Sequence, residues 1–494
     1  MSSRNTITKN ASVLMISQAL TWAMSLVLML FLPRFLGAEG MGQLHLSMSI
    51  WAIVGMFVTF GTDTLLTKEI SRAPEKTAEL VGAAVILRSI FYVIGFALTA
   101  VAIQFAGYNQ ETIYVIYIIG LAELLNQVGS VARASLIGLE RMEYVAIASI
   151  AFRAFVTVVS IAILLMGYGV LVAAAVNIGG TLVTAVLHFY YLQKLQPVTF
   201  LSNWSTMRVV FKASSPYLMV YAFSVIYKQL DAVIISLLVN ETQVGWYGVA
   251  DQLFGTFMFV PTVFITAVFP ALSRMFADKS DSLIHLMRKS FHLLLLLSVP
   301  IGLGVTAIAN PVVVLLFGAD FAPSGPVLAI MGFVLVLTYQ NILLGQFLIS
   351  TDRQNAWTVV MAVATIATIP LDLVLVPWCQ ARFGNGAIGG SLAYIFTESI
   401  MVVAGLWLLP TGALDKTNIW LSIRVLLAGL VMLAVVWTIR DLPIVIPIAV
   451  GGVVYIGLIV ILRVVPEEDW AVLRAAGQKI LSRFRKHQSE PASL

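Results

Sequence analysis

Tyr217, Tyr221, Ser224, Lys228 and Asp231 recur at i, i+4, i+7, i+11 and i+14 within one apolar stretch, which places all five on one face of a helix. An ionised side chain at the centre of a bilayer costs about 2.5–3.5 kcal/mol even on insertion scales. The stripe therefore lines a protein interior or an aqueous cavity. Glu123, Asn126, Ser130 and Arg133 form a second stripe of the same kind, and Gln18, Thr21 and Ser25 a weaker third. Arg88, Arg153 and Arg424 are cations with no acid close by in sequence, and Arg133 joins them. If these residues converge with Lys228, they form a basic chamber suited to a phosphate, which the guanidinium fork binds through paired hydrogen bonds. Two structural alternatives stand beside this reading. Lys228 and Asp231, three residues apart, are placed to neutralise each other, and Arg88 and Arg133 lie near segment ends from which they reach the interface.

The acids form a second group. Asp231, Asp372 and Glu398 fall at mid to outer depth of the second half, with Asp251 and Glu123 as further candidates. Buried carboxylates bind H⁺, and a carboxylate pair holds Na⁺. Pro370, two residues before Asp372, frees a backbone carbonyl as an extra oxygen ligand. Pairing of these acids with Arg424 or Lys228 is the alternative. No cofactor is expected beyond such a coupling ion, H⁺ or Na⁺. The five histidines have no metal-ligand spacing, and no glycine-rich phosphate loop occurs. The single cysteine, Cys379, rules out an intramolecular disulfide.

The elements that position these groups follow from composition. Hydrophobic residues make up 60% of the 494 and charged residues 11%, against about a quarter charged in soluble chains. Stretches of about 20 apolar residues suffice to cross a bilayer as helix. Fourteen such segments are expected: 12–32, 44–64, 80–106, 112–137, 144–166, 170–192, 214–239, 244–273, 289–317, 323–350, 355–379, 386–409, 418–439 and 443–462. Unbroken apolar runs exclude a barrel, whose strands alternate. The fold class is thus an all-α polytopic membrane protein. Most of the 29 lysines and arginines fall at the termini and the even-numbered connections, whereas Arg34, Arg382 and Arg440 lie on the other face. Positive residues stay cytoplasmic, so both termini are expected inside. The first segment carries Gln18 and runs into Pro33, unlike a cleaved signal peptide.

The halves of the first twelve segments resemble each other. Phe35-Leu-Gly-Ala-Glu-Gly-Met-Gly42 opens a helix ending in Glu69-Ile-Ser-Arg72, and Leu238-Val-Asn-Glu-Thr-Gln-Val-Gly245 opens one ending in Ala271-Leu-Ser-Arg274. Gly138-Leu-Glu-Arg141 and Ser350-Thr-Asp-Arg353 form a second matched pair. Two parallel six-helix lobes are expected, 1–196 and 214–410, joined by an amphipathic linker over 197–213. Helices thirteen and fourteen occupy 411–463, and 464–494 is a basic amphipathic tail suited to the cytoplasmic leaflet or to a partner. Parallel repeats of this kind place a transport site between lobes. Pro216, Pro261, Pro270, Pro300, Pro370 and Pro377 supply kinks on which lobes could hinge.

Pro33-Arg-Phe-Leu-Gly-Ala-Glu-Gly-Met-Gly42, then Phe60-Gly61 and Glu69-Ile-Ser-Arg72, resembles the opening of Wzx-type polysaccharide flippases. Gly389-Gly-Ser-Leu-Ala-Tyr-Ile-Phe-Thr-Glu398 is similar to another segment of that family, within the multidrug/oligosaccharidyl-lipid/polysaccharide exporter superfamily. The resemblance implies ion-coupled alternating access. It implies that an undecaprenyl-diphosphate-linked oligosaccharide passes from the inner to the outer leaflet of the cytoplasmic membrane. It also implies that Lys228, Asp231 and Asp372 match basic and ion-binding positions of related flippases. Tyr394 departs from the small or hydroxylated residue expected there, which leaves H⁺ and Na⁺ equally open. The implied partners are the lipid-linked oligosaccharide, membrane lipids, a polysaccharide polymerase and glycosyltransferases, with no nucleic acid. A multidrug/cation antiporter of the same superfamily is the alternative and calls for an acidic, aromatic cavity. A membrane glycosyltransferase or polymerase is disfavoured by the short outer connections and the lack of a catalytic constellation.

Overall fold

The computed structural model describes residues 3–464 except 199, 201, 281 and 411, with side chains from residue 15 onward apart from 219–221. It is helical throughout. The elements are α1 (Ser3–Thr59), α2 (Thr62–Arg72), α3 (Thr77–Phe105), α4 (Gln110–Gly138), α5 (Met142–Leu165), α6 (Val170–Leu195), α7 (Trp204–Leu238) and α8 (Glu241–Phe257). The second part comprises α9 (Phe259–Ala277), α10 (Ser282–Phe317), α11 (Ser324–Ser350), α12 (Gln354–Phe383), α13 (Ala387–Trp407), α14 (Lys416–Thr438) and α15 (Val445–Ile461).

Among the described residues, eleven helical stretches are long and apolar enough to cross a membrane, twelve if the bent α7 counts as one. Several expected segments are joined differently from their sequence boundaries. Segments 12–32 and 44–64 both fall in α1, whose helical geometry breaks at Gly37 (φ 66°, ψ −177°). That backbone shape is open to glycine and strained for other residues. Segment 244–273 is divided into α8 and α9 at Met258. The expected linker 197–213 is no separate element after residue 203. Asn203 caps α7 by accepting from the Thr206 amide, so the helix starts at Trp204 and runs on into the apolar stretch. It bends by 63° between Trp204–Leu218 and Ala222–Leu238. Of the expected tail, 465–494 lies outside the described residues.

The apolar side chains bury in four main groups. One fills the interior of α7–α13 around Leu294, Met331, Tyr339 and Phe347. Two lie within α1–α6, around Trp51 and Ile116, and around Leu66 and Leu136. The fourth fastens α14 and α15 to α10 through Val299, Val425 and Met432.

Two of the prolines create docking points between helices. Pro261 has no amide hydrogen for the carbonyl of Phe257, and Tyr339 Oη of α11 donates to that oxygen at 2.6 Å. Pro300 likewise frees Leu296 O, which accepts from Tyr455 Oη of α15 at 2.9 Å. Pro216 frees Lys212 O, which accepts from Ser215 Oγ at 3.0 Å.

The closest backbone approach joins the two halves. α1 and α8 cross at Gly42 and Gly245, where a Cβ on Gly42 would overlap the carbonyl of Glu241 and one on Gly245 the carbonyl of Ala38. Each carbonyl belongs to the residue four positions before the opposite glycine, so the contact is reciprocal, as a two-fold axis between the helices would make it. Around it, Arg34 donates to Leu316 O at 2.8 Å and Leu315 O at 2.6 Å, capping α10. Thr112 Oγ1 donates to Glu241 Oε1 at 2.9 Å, and Tyr108 Oη lies 2.8 Å from Ser236 Oγ. At the far end of the second part of α1, Gly61 approaches the α7 backbone at Ser214 and Leu218, and Phe60 stacks on Phe211 at 4.6 Å.

Overpacking a close-packed contact costs about 1–3 kcal/mol. Gly42→Ala and Gly245→Ala should each destabilise the purified protein by an amount in that range, read as a fall in its melting temperature. In the double variant the losses should be less than additive, because either methyl alone forces the helices apart. Unchanged melting of both single variants would show that the crossing is not close-packed.

Candidate functional site

A cavity of about 860 Å³ is lined by both parts of α1 and by α2, α4, α5, α6 and α7. Its charged and titratable lining is Asp63, Glu123, Arg133, Arg153, His188 and Lys228. Of the five cations expected to converge, Arg133, Arg153 and Lys228 do so directly.

Arg88 stands behind the wall. It is 1% exposed and every donor is used: Nε and Nη2 reach Thr62 Oγ1 at 2.8 and 2.6 Å, Nη1 reaches Gln127 O at 2.9 Å and Ser130 Oγ, and Nη2 pairs with Asp63 at 2.6 Å. Its guanidinium is thus neither at the interface nor open to a ligand. It fixes Asp63 instead, whose other oxygen holds Arg133 Nη2 at 3.3 Å. Arg424 is not brought to the cavity. It lies on α14, where Nη1 donates to Leu462 O at the end of α15 at 3.0 Å and the guanidinium sits 5.4 Å from the Trp420 ring centre. There it caps a helix, the usual use of a cation at a C-terminus.

The remaining cations differ from these. Among the described residues, neither Arg153 nor Lys228 has a carboxylate within ion-pair distance. Lys228 is exposed on the cavity wall and Arg153 is half-buried beside Phe152. Glu123 is occupied by amides of its own helix, accepting from Gln127 Nε2 at 2.6 Å and Asn126 Nδ2 at 3.1 Å. The cavity therefore has an excess of basic groups, with Arg153 and Lys228 uncommitted.

The acids of the second half gather elsewhere, behind α7. Asp231 accepts from Tyr247 Oη at 2.6 Å and has Asp372 of α12 as its neighbour, both fully buried. Glu398 of α13 accepts from Thr338 Oγ1 at 2.9 Å, Asn341 Nδ2 at 2.8 Å and Tyr227 Oη at 3.0 Å. Tyr394 packs edge-on to Tyr227 and Phe254 beside this group. Lys228 is within electrostatic range of Asp251 and Glu398 while its side chain faces the cavity. Among the described residues, no three histidine, cysteine or acidic groups form a metal-binding cluster.

Two features of the site escape the sequence reading. Asp63 follows the Gly61 turn at the edge of the expected segment 44–64 and looks like a terminal acid. Asn177, Thr181, Thr184 and His188 of α6 all line the cavity and recur at i, i+4, i+7 and i+11. The spacing that marks the α7 stripe would have found them. Removing one partner of a buried ion pair costs about 3–5 kcal/mol, less where one group keeps water. Asp63 is about one-third exposed, so Asp63→Ala should cost on the order of 2 kcal/mol, read as a fall in melting temperature. A variant that melts like the parent would show that Arg88 does not depend on this carboxylate.

Similarity to known proteins places this geometry. The chain is 23% identical over 377 residues to the probable low-salt glycan biosynthesis flippase Agl15 of Haloferax volcanii, covering 76% of this chain and 77% of that one. It is 28% identical over 231 residues to the probable lipid II flippase MurJ of Vibrio cholerae, or 44% of this chain and 43% of that one. Its fold matches a lipid II flippase MurJ in an inward closed conformation, with a TM-score of 0.68 and 15% identity over 92% of this chain and 98% of that one. It also matches an inward-facing multidrug resistance transporter of the MATE family in the MOP superfamily, with a TM-score of 0.63 and 14% identity over 78% and 94% of the two chains. Residues 7–276 match the family described as polysaccharide biosynthesis protein. With more than half its length inside that match, this multi-pass membrane chain belongs to the polysaccharide biosynthesis protein family.

Proposed function

We propose that the protein is a flippase that moves an undecaprenyl-diphosphate-linked oligosaccharide from the inner to the outer leaflet of the cytoplasmic membrane by ion-coupled alternating access. The observation that carries this reading is the basic cavity, in which, among the described residues, Arg153 and Lys228 have no carboxylate within ion-pair distance. A diphosphate entering such a site exchanges water for charge-assisted hydrogen bonds, about twice as strong as neutral ones. Relatives described as glycan and lipid II flippases support the same class of cargo. A cationic drug would meet repulsion from these groups, and the lining is poor in aromatic rings, with Phe152 and the His188 imidazole among the described residues.

The coupling follows from charge placement. Asp231 and Asp372 lie side by side with no basic group in contact among the described residues, an arrangement that takes up H⁺ or a cation. Lys228 is three residues from Asp231 on the same helix and within electrostatic range of Asp251 and Glu398. Loading the acid group with positive charge weakens its hold on the Lys228 ammonium, and a diphosphate strengthens the opposing pull from the cavity. The two sites thus bias one helix from opposite sides.

In this reading the chain crosses the membrane fourteen times with both termini cytoplasmic. The break at Gly37 separates two spans within α1, and α15 is the last. The lobes 1–196 and 214–410 rock about the cavity, and the Gly42–Gly245 crossing with the Arg34 cap forms the closure that must open for release. Glycosyltransferases would supply the lipid-linked substrate and a polymerase would consume it.

Arg153→Ala and Lys228→Ala should each abolish export of surface polysaccharide while leaving membrane insertion intact, measured by surface glycan staining against protein level. Normal export in both variants, or a drug efflux defect without a glycan defect, would overturn the assignment. Asp372→Asn should slow gradient-driven turnover in proteoliposomes but leave binding of the lipid-linked sugar within about twofold, since amide for carboxylate keeps the shape. Loss of binding would remove Asp372 from coupling.

A further inference from the structure

The wall formed by α6 presents hydrogen-bond acceptors to the cavity. Thr181 Oγ1 donates to Asn177 O at 2.8 Å, Thr184 Oγ1 donates to Gly180 O at 2.9 Å, and on the adjacent α5 Ser149 Oγ donates to Val145 O at 2.9 Å. A hydroxyl has one hydrogen and two lone pairs. With each hydrogen committed to the backbone of its own helix, these side chains offer the cavity only acceptors. Asn177 behaves alike, its Nδ2 turned back toward Ala173 O and Ala174 O at 3.4 and 3.3 Å, which leaves Oδ1 as its open atom.

The α6 belt itself, Asn177, Thr181 and Thr184, carries no charged side chain. On α4, Glu123 and Arg133 are separated by roughly 15 Å of helix, and the lining between them is neutral, consisting of Leu125, Asn126, Gln127, Gly129 and Ser130. α6 packs against that stretch, with Gly129 against Ala185. Ala174 of α6 clusters with Ile116 of α4 and Leu192 with Leu136, so the two helices run parallel and the belt from Asn177 to Thr184 lies on the Glu123 side of the Gly129–Ala185 contact, where the Glu123 carboxylate adds further acceptors.

We infer that this belt is a subsite for the glycan itself, and that it takes uncharged sugar rings through their hydroxyl and acetamido N–H donors. The inference rests on the flippase reading and deepens it, because the diphosphate is left to Arg153 and Lys228. A carboxylate sugar at the belt would face lone pairs without donors and be rejected, since desolvated polar groups without partners are costly. Selection among glycans thus resides in Thr181, Thr184 and Asn177 rather than in the cations.

The test measures affinity of the purified full-length protein in nanodiscs for two probes, undecaprenyl diphosphate and undecaprenyl diphosphate carrying N-acetylglucosamine. The parent should bind the sugar-bearing probe more tightly. The double variant Thr181→Val with Thr184→Val should lose about tenfold for that probe, the worth of two modest hydrogen bonds, and bind the bare diphosphate unchanged. Thr181→Ser with Thr184→Ser, which keeps the oxygens, should restore the difference. Equal affinity of the parent for both probes, a valine variant with the parent's ratio, or equal loss for both probes would each overturn the subsite. A parent that binds neither probe would overturn the flippase reading itself.

Discussion

The reciprocal contact of Gly42 with Gly245 is the constraint on which the rest of the arrangement hangs. Two helices approach so closely that backbone carbonyls of Glu241 and Ala38 occupy the space of the missing side chains. Nothing larger than hydrogen fits there, so the crossing point of α1 and α8 is fixed. Arg34 on α10, Thr112 on Glu241 and Tyr108 beside Ser236 then find partners in the other half.

The charges divide into those held by partners within the protein and those that face the cavity without an acidic partner among the described residues. Arg88 satisfies its donors on Thr62, Asp63, Ser130 and the Gln127 carbonyl, and Arg424 caps α15. Their burial or capping is the reason they are affordable in an apolar setting. Arg153 and Lys228 have no such arrangement and face an open volume instead. Proline follows the same logic, since the carbonyls freed at Pro261 and Pro300 are taken by tyrosine hydroxyls from α11 and α15. Those kinks are pinned to neighbouring helices, so hinge motion would have to carry the neighbour along.

Sequence periodicity and composition determined the helical membrane class, the position of nearly every helix, the polar stripes of α4 and α7, and the equivalence of the Gly42 and Gly245 motifs. These are local properties: a helix fixes which residues share its face, and hydropathy fixes which segments can be buried in lipid. Only the tertiary structure decided which cations are free. Arg88, Arg133, Arg153 and Arg424 look alike in sequence, yet the first is enclosed by partners from α2 and α4, and the last belongs to α14 and α15, away from the cavity. The same holds for Asp63, an apparent helix-terminal acid that becomes the link between Arg88 and Arg133, and for Asn177, Thr181 and Thr184, whose hydroxyl and amide hydrogens point back to their own helix. Whether a polar group is spent or available depends on partners contributed by helices distant in the chain, and that is information no single segment contains.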